Sequence, residues 1–189
     1  MVEIDIDATQ LKQLQKTLLG IKDGVPRVVV PAINRSLYSG QTTIKREIRK
    51  VYTIKYSDIP TKVQPAKRSP ATGEAGGSVT VQQGMLELNK FAFTPRNPGT
   101  RRVMYVTVKK GRRRPIPHAF TQRMPGSGYL GPFLRKGPAR LPIKKLMTIG
   151  APIMATQPTV GPAVAKEMGD TLDRRLDHEL QRVLNSAGK

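Results

Sequence analysis

The chain has 189 residues, 38% of them hydrophobic, with 33 Lys and Arg against 13 Asp and Glu and a formal net charge of +20. With no Cys and only two His, it excludes disulfide scaffolds, thiol nucleophiles, Cys-ligated metal sites and His-rich metal sites. No apolar run approaches the ~20 residues needed to cross a bilayer, and the acidic start MVEIDIDATQ lacks the features of a signal peptide, so a reducing cytoplasm is the expected setting.

In chain order, the first predicted helix follows Asp7, a candidate N-cap, and repeats apolar residues at Leu11, Leu14, Leu18 and Ile21. A second helix is expected over 31–51, with Ile33, Leu37, Gly40, Ile44, Ile48 and Val51 on one face and Pro31 bending its entry. Gly40 either weakens that helix by about 1 kcal/mol or admits a close neighbour. Short strand-like pieces follow at 53–56 and 61–64, then a Pro/Gly/Ala-rich loop or linker over 65–77. Alternating pieces at 79–81, 85–88, 91–93 and 103–108 predict an antiparallel meander, with Lys109 to Arg114 as the turn at its far end.

Another apolar piece, 129–134, precedes a basic Gly-Pro turn over 135–140, and Leu141-Pro142-Ile143 resumes the extended pattern. Residues 149–161 read as a Pro/Gly-rich connection, and a final helix starts near Pro162. Its apolar residues Val164, Met168, Leu172, Leu176, Leu180 and Leu184 recur every fourth position. Each such step advances the stripe by about 40°, so its two ends should face different neighbours, its own sheet first and another subunit later. The fold class expected is α+β: N-terminal helices, a mostly antiparallel sheet with long basic loops, and a C-terminal helix. Residues 1–189 form a single subunit, with a helical part over 1–51, a β-rich part over 52–155 and the last helix within 156–189.

Charge is placed unevenly. Residues 88–166 hold 16 basic groups and no carboxylate. Such a stretch repels itself unless a polyanion or an acidic partner surface lies nearby. The candidate contacts are Lys109, Lys110, Arg112, Arg113 and Arg114 in the sharpest basic run, and Arg135, Lys136 and Arg140 in the second turn. The acidic last helix, through Asp170, Asp173, Asp177, Leu180 and Leu184, is the candidate subunit interface, with an Asp170–Arg174 pair expected at i,i+4.

Catalytic chemistry finds little support. His118 sits in Pro-His-Ala-Phe without a Gly-x-Ser-x-Gly elbow elsewhere, and His178 follows Asp177 on a helix, where adjacent residues diverge. The glycine-rich stretches at 73–77 and 126–128 lack the Lys and following helix of a phosphate loop. No catalytic residue, metal site or cofactor is assigned. Phe120, Phe133 and Met154 are expected to pack in the core or at an interface, the core being favoured.

Two stretches read together carry a resemblance. Pro115-Ile116-Pro117-His118-Ala119-Phe120 is followed by Phe133-Leu134-Arg135, Gly137, Arg140-Leu141-Pro142-Ile143, Leu146 and Gly150-Ala151-Pro152-Ile153-Met154. Upstream stand Ala32-Ile33-Asn34-Arg35-Ser36-Leu37, Ile44-Lys45-Arg46-Glu47-Ile48, Tyr52-x-Ile54-Lys55-x-x-Asp58-Ile59 and Leu86-x-Leu88-x-x-Phe91. This order resembles the minor tail protein Z family of tailed bacteriophages and prophages, over some four fifths of the chain. It departs from the family at His118, where Gly is commoner, and at Gly150-Ala151-Pro152-Ile153, which replaces a Gly-Pro-Ser-Val-like form.

The resemblance implies a non-enzymatic virion protein at the head-proximal end of the tail, assembled in the host cytoplasm. It implies a tail-completion or neck subunit in a homo-oligomeric ring, commonly sixfold, around the DNA path. The implied partners are further copies of itself, head connector or head-closure proteins, tail terminator or tail-tube proteins, and phage DNA in the lumen, with no membrane. A ring of six would carry about +120 formal charges, which DNA or acidic neighbours would have to balance. The alternative expectation is a non-specific nucleic-acid-binding protein. A nuclease ranks behind both, because the central region offers no carboxylate cluster for metal.

Overall fold

The computed structural model describes residues 2–4, 8–66, 77–82 and 84–187. It is an α+β chain with helices at both ends and small antiparallel sheets between them. Contacts divide it into two compact units: residues 1–44, 61–81 and 158–189 form the first, and residues 45–60 and 82–157 the second.

In the first unit, strand β1 (Val2–Ile4) precedes helix α1 (Ala8–Thr17). The expected N-cap Asp7 lies outside the described residues. Helix α2 (Gly24–Val51) starts seven residues earlier than the pattern over 31–51 predicts, so Pro31 lies inside it. Pro26 occupies the first turn, where its missing N–H costs nothing. Pro31 has no N–H to give the Arg27 carbonyl, and the guanidinium of Arg182 donates to that oxygen instead, at 3.4 Å. A donor from 155 residues away thus stands in for the lost helical bond.

Strand β2 (Thr61–Gln64) and strand β3 (Gly77–Val81) complete a sheet of order β1-β3-β2, all antiparallel, with Val63 opposite Val79. Of the loop expected over 65–77, residues 67–76 lie outside the described residues, and Gly77 is already strand. The end of β2 is fixed to α2 by Asn34, whose Oδ1 accepts from the Ala66 N–H at 2.7 Å while its amide donates back to the Ala66 carbonyl. A Cβ on Gly77 would meet Leu37 Cδ1 at 2.5 Å and the Ala66 nitrogen at 2.8 Å, so no side chain fits there.

The last helix, α4 (Val160–Ala187), buries Val160, Val164, Met168, Leu172, Leu176 and Val183. The face expected against the sheet lies on α2. Ser36 Oγ donates to the Met168 carbonyl, and Met168 fills the space that a side chain at Gly40 would need. After Leu176 burial passes to Glu179 and Val183, while Leu180 is half-buried and Leu184 is exposed. The stripe therefore leaves the core at its C-terminal end, as steps of about 40° require.

The second unit begins with the end of α2 and a 3-10 turn (Tyr56–Asp58), where the sequence pattern predicts a strand over 53–56. Strand β4 (Met85–Glu87) passes through a second 3-10 turn (Leu88–Lys90) into β5 (Ala92–Thr94). Strands β6 (Met104–Thr107), β7 (Arg113–Ile116), β8 (Phe120–Arg123), β9 (Leu130–Arg135), β10 (Ile143–Lys145) and β11 (Met147–Gly150) follow.

The single meander expected here is two, β5-β6-β7 and β8-β9-β10, while β4 pairs with β11 from some 60 residues further along the chain. Leu88, Phe93, Met104, Val106 and Ala119 form the apolar centre, with Val108, Ile116, Leu134 and Leu146 packed on it. Residues Ala151–Ala155 form a short helix α3 in the stretch read as a Pro/Gly-rich connection, with Pro152 in its first turn and Met154 fully buried. Phe133 is buried with Met154, and Phe120 is half-buried.

Candidate functional site

The division into units sharpens the charge pattern. The second unit holds 20 Lys and Arg and only three carboxylates, Glu47, Asp58 and Glu87. Two of those three have a cation beside them: Lys50 lies 2.6 Å from Glu47, and Lys145 lies 3.2 Å from Glu87. The first unit, with 13 basic and ten acidic residues, mixes its signs as an ordinary solvated surface does.

The basic run does not form one hairpin tip. Lys109, Lys110 and Arg112 occupy the turn, closed by the Arg112 N–H on the Lys109 carbonyl. Lys109 lies over the ring of buried Tyr52, 5.6 Å from its centroid. Burial raises the Tyr52 phenol above its usual range, and its oxygen accepts from the Gln157 amide at 3.1 Å. Arg113 and Arg114 belong to strand β7 at the sheet edge, where successive side chains point to opposite faces. Arg113 stacks over Tyr105 (4.3 Å) and donates to Thr94 Oγ1 (3.2 Å), whereas Arg114 stands opposite Val106, on the other face. The expected five-residue cluster is thus split between a turn and two faces.

The second basic turn lies between β9 and β10. Arg135 ends β9, stacks over Phe120 at 5.1 Å and donates to the Arg140 carbonyl at 2.8 Å. Lys136 bonds through its backbone to the Pro142 carbonyl. Arg135 and Arg140 line a cleft of about 530 Å³ together with Arg101, Arg102, His118 and Gln122. Arg101 and Arg102 belong to the central basic stretch, but nothing in the sequence places them beside residues 135–140; tertiary packing does. None of the described residues lining the cleft is a carboxylate. His118, at its rim, holds a left-handed backbone with φ of 60°.

At the other end of the same sheet, Lys145 lies 4.0 Å from the centre of the Tyr129 ring as well as beside Glu87. Burial first, and the Glu87 carboxylate second, push the Tyr129 phenol up to about 12.

On α4, Asp170, Asp173 and Asp177 are exposed and share a stripe with Leu180 and Leu184, about 120° round the helix from the buried one. The side chain of Arg174 reaches the backbone carbonyl of Asp170 at 3.0 Å and the Thr171 hydroxyl at 3.3 Å, in place of the carboxylate pair expected. His178 lies 3.6 Å from Glu179, which also accepts from Arg182 at 2.6 Å. Among the described residues there is no group of three or more His, Cys, Asp or Glu placed to hold a metal ion. Among the same residues no helix is long and apolar enough to cross a membrane. Neither protein-family models nor curated proteins nor solved structures give a match to this chain.

Proposed function

We propose that this chain is a structural, non-enzymatic subunit of a phage virion, at the head-proximal end of the tail. There it completes the tail and joins it to the head connector in a homo-oligomeric ring around the DNA path. The observation that carries this reading is the segregation of charge: one compact unit holds 20 basic and three acidic residues, while the other is nearly balanced. A subunit that presents one strongly basic part to a polyanion, and a mixed-sign part to its neighbours, suits a ring closed around DNA.

The backbone at His118 lends support to the resemblance. Its φ of 60° lies in the region that favours glycine, and glycine is the commoner residue at this position in the phage family. The exposed Asp170, Asp173 and Asp177 stripe on α4 is the surface proposed to meet a neighbouring subunit.

The test is gold-labelled antibody against this chain on purified virions, viewed by electron microscopy. Label confined to the head–tail junction is the expected result, and virions without label overturn the reading. The second reading, a general nucleic-acid-binding protein, is favoured by the arginine-lined cleft. It requires tight binding of naked duplex DNA by the isolated chain with no place in the virion.

A further inference from the structure

We infer that the cleft lined by Arg101, Arg102, Arg135 and Arg140 is a binding site for consecutive phosphate groups of a nucleic-acid backbone. The inference rests on the cleft itself and not on a place in the virion, so either can fail alone. Four arginines line a space of about 530 Å³ with no carboxylate among the described lining residues. Like charges gathered around one cleft repel each other, and an anion entering it relieves that repulsion. His118 and Gln122 add further polar groups to the same wall.

Part of the site is preorganised. Arg135 is held by the Phe120 ring beneath it and by its bond to the Arg140 carbonyl, so its fork is set before a ligand arrives. Arginine forks pair bidentately with phosphate or carboxylate. Two features favour phosphate on a backbone. The cleft is open and polar, and the unit that holds it carries 20 basic residues against three acidic ones, so a long polyanion is attracted to it beyond the cleft itself. An acidic protein segment would also need an apolar anchor. A candidate among the described residues is a recess of about 320 Å³ lined by Met124, Leu141 and Ile143, which shares Arg135 and Arg140.

The test measures binding of the full-length chain to a fluorescent 20-base-pair duplex of mixed sequence, by anisotropy over a range of NaCl concentrations. Three proteins are compared with the parent: R101Q/R102Q in the cleft, R46Q/R49Q elsewhere on the same unit, and L141S in the apolar recess. All four substituted arginines are exposed, and urea midpoints establish that each variant folds.

R101Q/R102Q is expected to weaken binding at least tenfold and to flatten the slope of log affinity against log salt by about two, since each lost phosphate contact removes about 0.9. R46Q/R49Q and L141S should each change affinity less than threefold, and pyrophosphate should compete with the duplex for the parent but not for R101Q/R102Q. Should R101Q/R102Q misfold, R140Q replaces it, with a slope change of about one. Equal losses from the cleft and control pairs would show diffuse charge and overturn the site. Preference for polyglutamate over duplex, abolished by L141S, would overturn it in favour of a protein partner.

Discussion

Gly40→Ala probes how α2 and α4 come together within the first unit. In an exposed helix the change stabilises by about 1 kcal/mol, because Gly loses the most backbone freedom on folding. Here the new Cβ would lie 2.4 Å from Met168 Sδ and 2.6 Å from its Cγ, well inside van der Waals contact. Met168 is 1% exposed, so it has nowhere to go without displacing its neighbours. Overpacking of this kind costs about 1–3 kcal/mol, and the middle of that range applies here, because a thioether chain bends readily but is walled in.

The two effects leave a net loss of roughly 1 kcal/mol, or about 2–4 °C for a chain of this size. In a Met168→Ala background, itself lower in stability by about 2–5 kcal/mol, the same change should instead gain about 1 kcal/mol. The sign reversal amounts to a coupling of about 2 kcal/mol, readable from urea midpoints of the four proteins. If Gly40→Ala stabilises the parent, or destabilises both backgrounds alike, the close approach of Met168 is not what selects glycine.

Replacing His118 with Gly relieves a left-handed backbone and should stabilise by about 0.5–1 kcal/mol, while His118→Val should lose more than that; thermal melts of both check it, and a loss on going to Gly refutes it. The Tyr129 phenol stays protonated to about 12 in the folded chain, against an ordinary value of 10.0, so the folded state binds the extra proton between those values. Its contribution to stability is therefore complete below pH 10.0 and lost as pH rises through about 12. Glu87→Gln should lower the Tyr129 titration in ultraviolet difference spectra, though not to 10.0, because burial is the larger cause; an unchanged titration counts against the Glu87 contribution. Reversing Asp170, Asp173 and Asp177 to Lys should lower ring or virion assembly while leaving the monomer folded, measured by sedimentation and by particle yield. Unchanged assembly would rule out the acidic stripe as a docking surface.

The helices were legible because they follow from spacing that the chain carries locally. Recurrence every three or four residues marks α2 and α4, and the drift of the α4 stripe anticipates that Leu184 emerges while Val164 and Met168 stay buried. The concentration of positive charge is likewise a property of the sequence alone. Strand pairing is different in kind. The residues of β4 and β11 are too far apart for any local window to join them, and the pleat that separates Arg113 from Arg114 exists only once β7 pairs with β6.

The first turns of α2 show the same limit. A proline at position 31 reads as a boundary, yet the helix runs through it, and the Arg27 carbonyl that it leaves without a helical donor accepts from the guanidinium of Arg182 on α4. The candidate site divides along the same line. Composition alone raised the expectation of a polyanion or an acidic surface near residues 88–166, since 16 cations without a carboxylate repel. Which of those cations lie together was decided by tertiary structure, because one cleft gathers Arg101 and Arg102 with Arg135 and Arg140. A charge count is additive along a chain, whereas a binding site depends on distances that only packing sets.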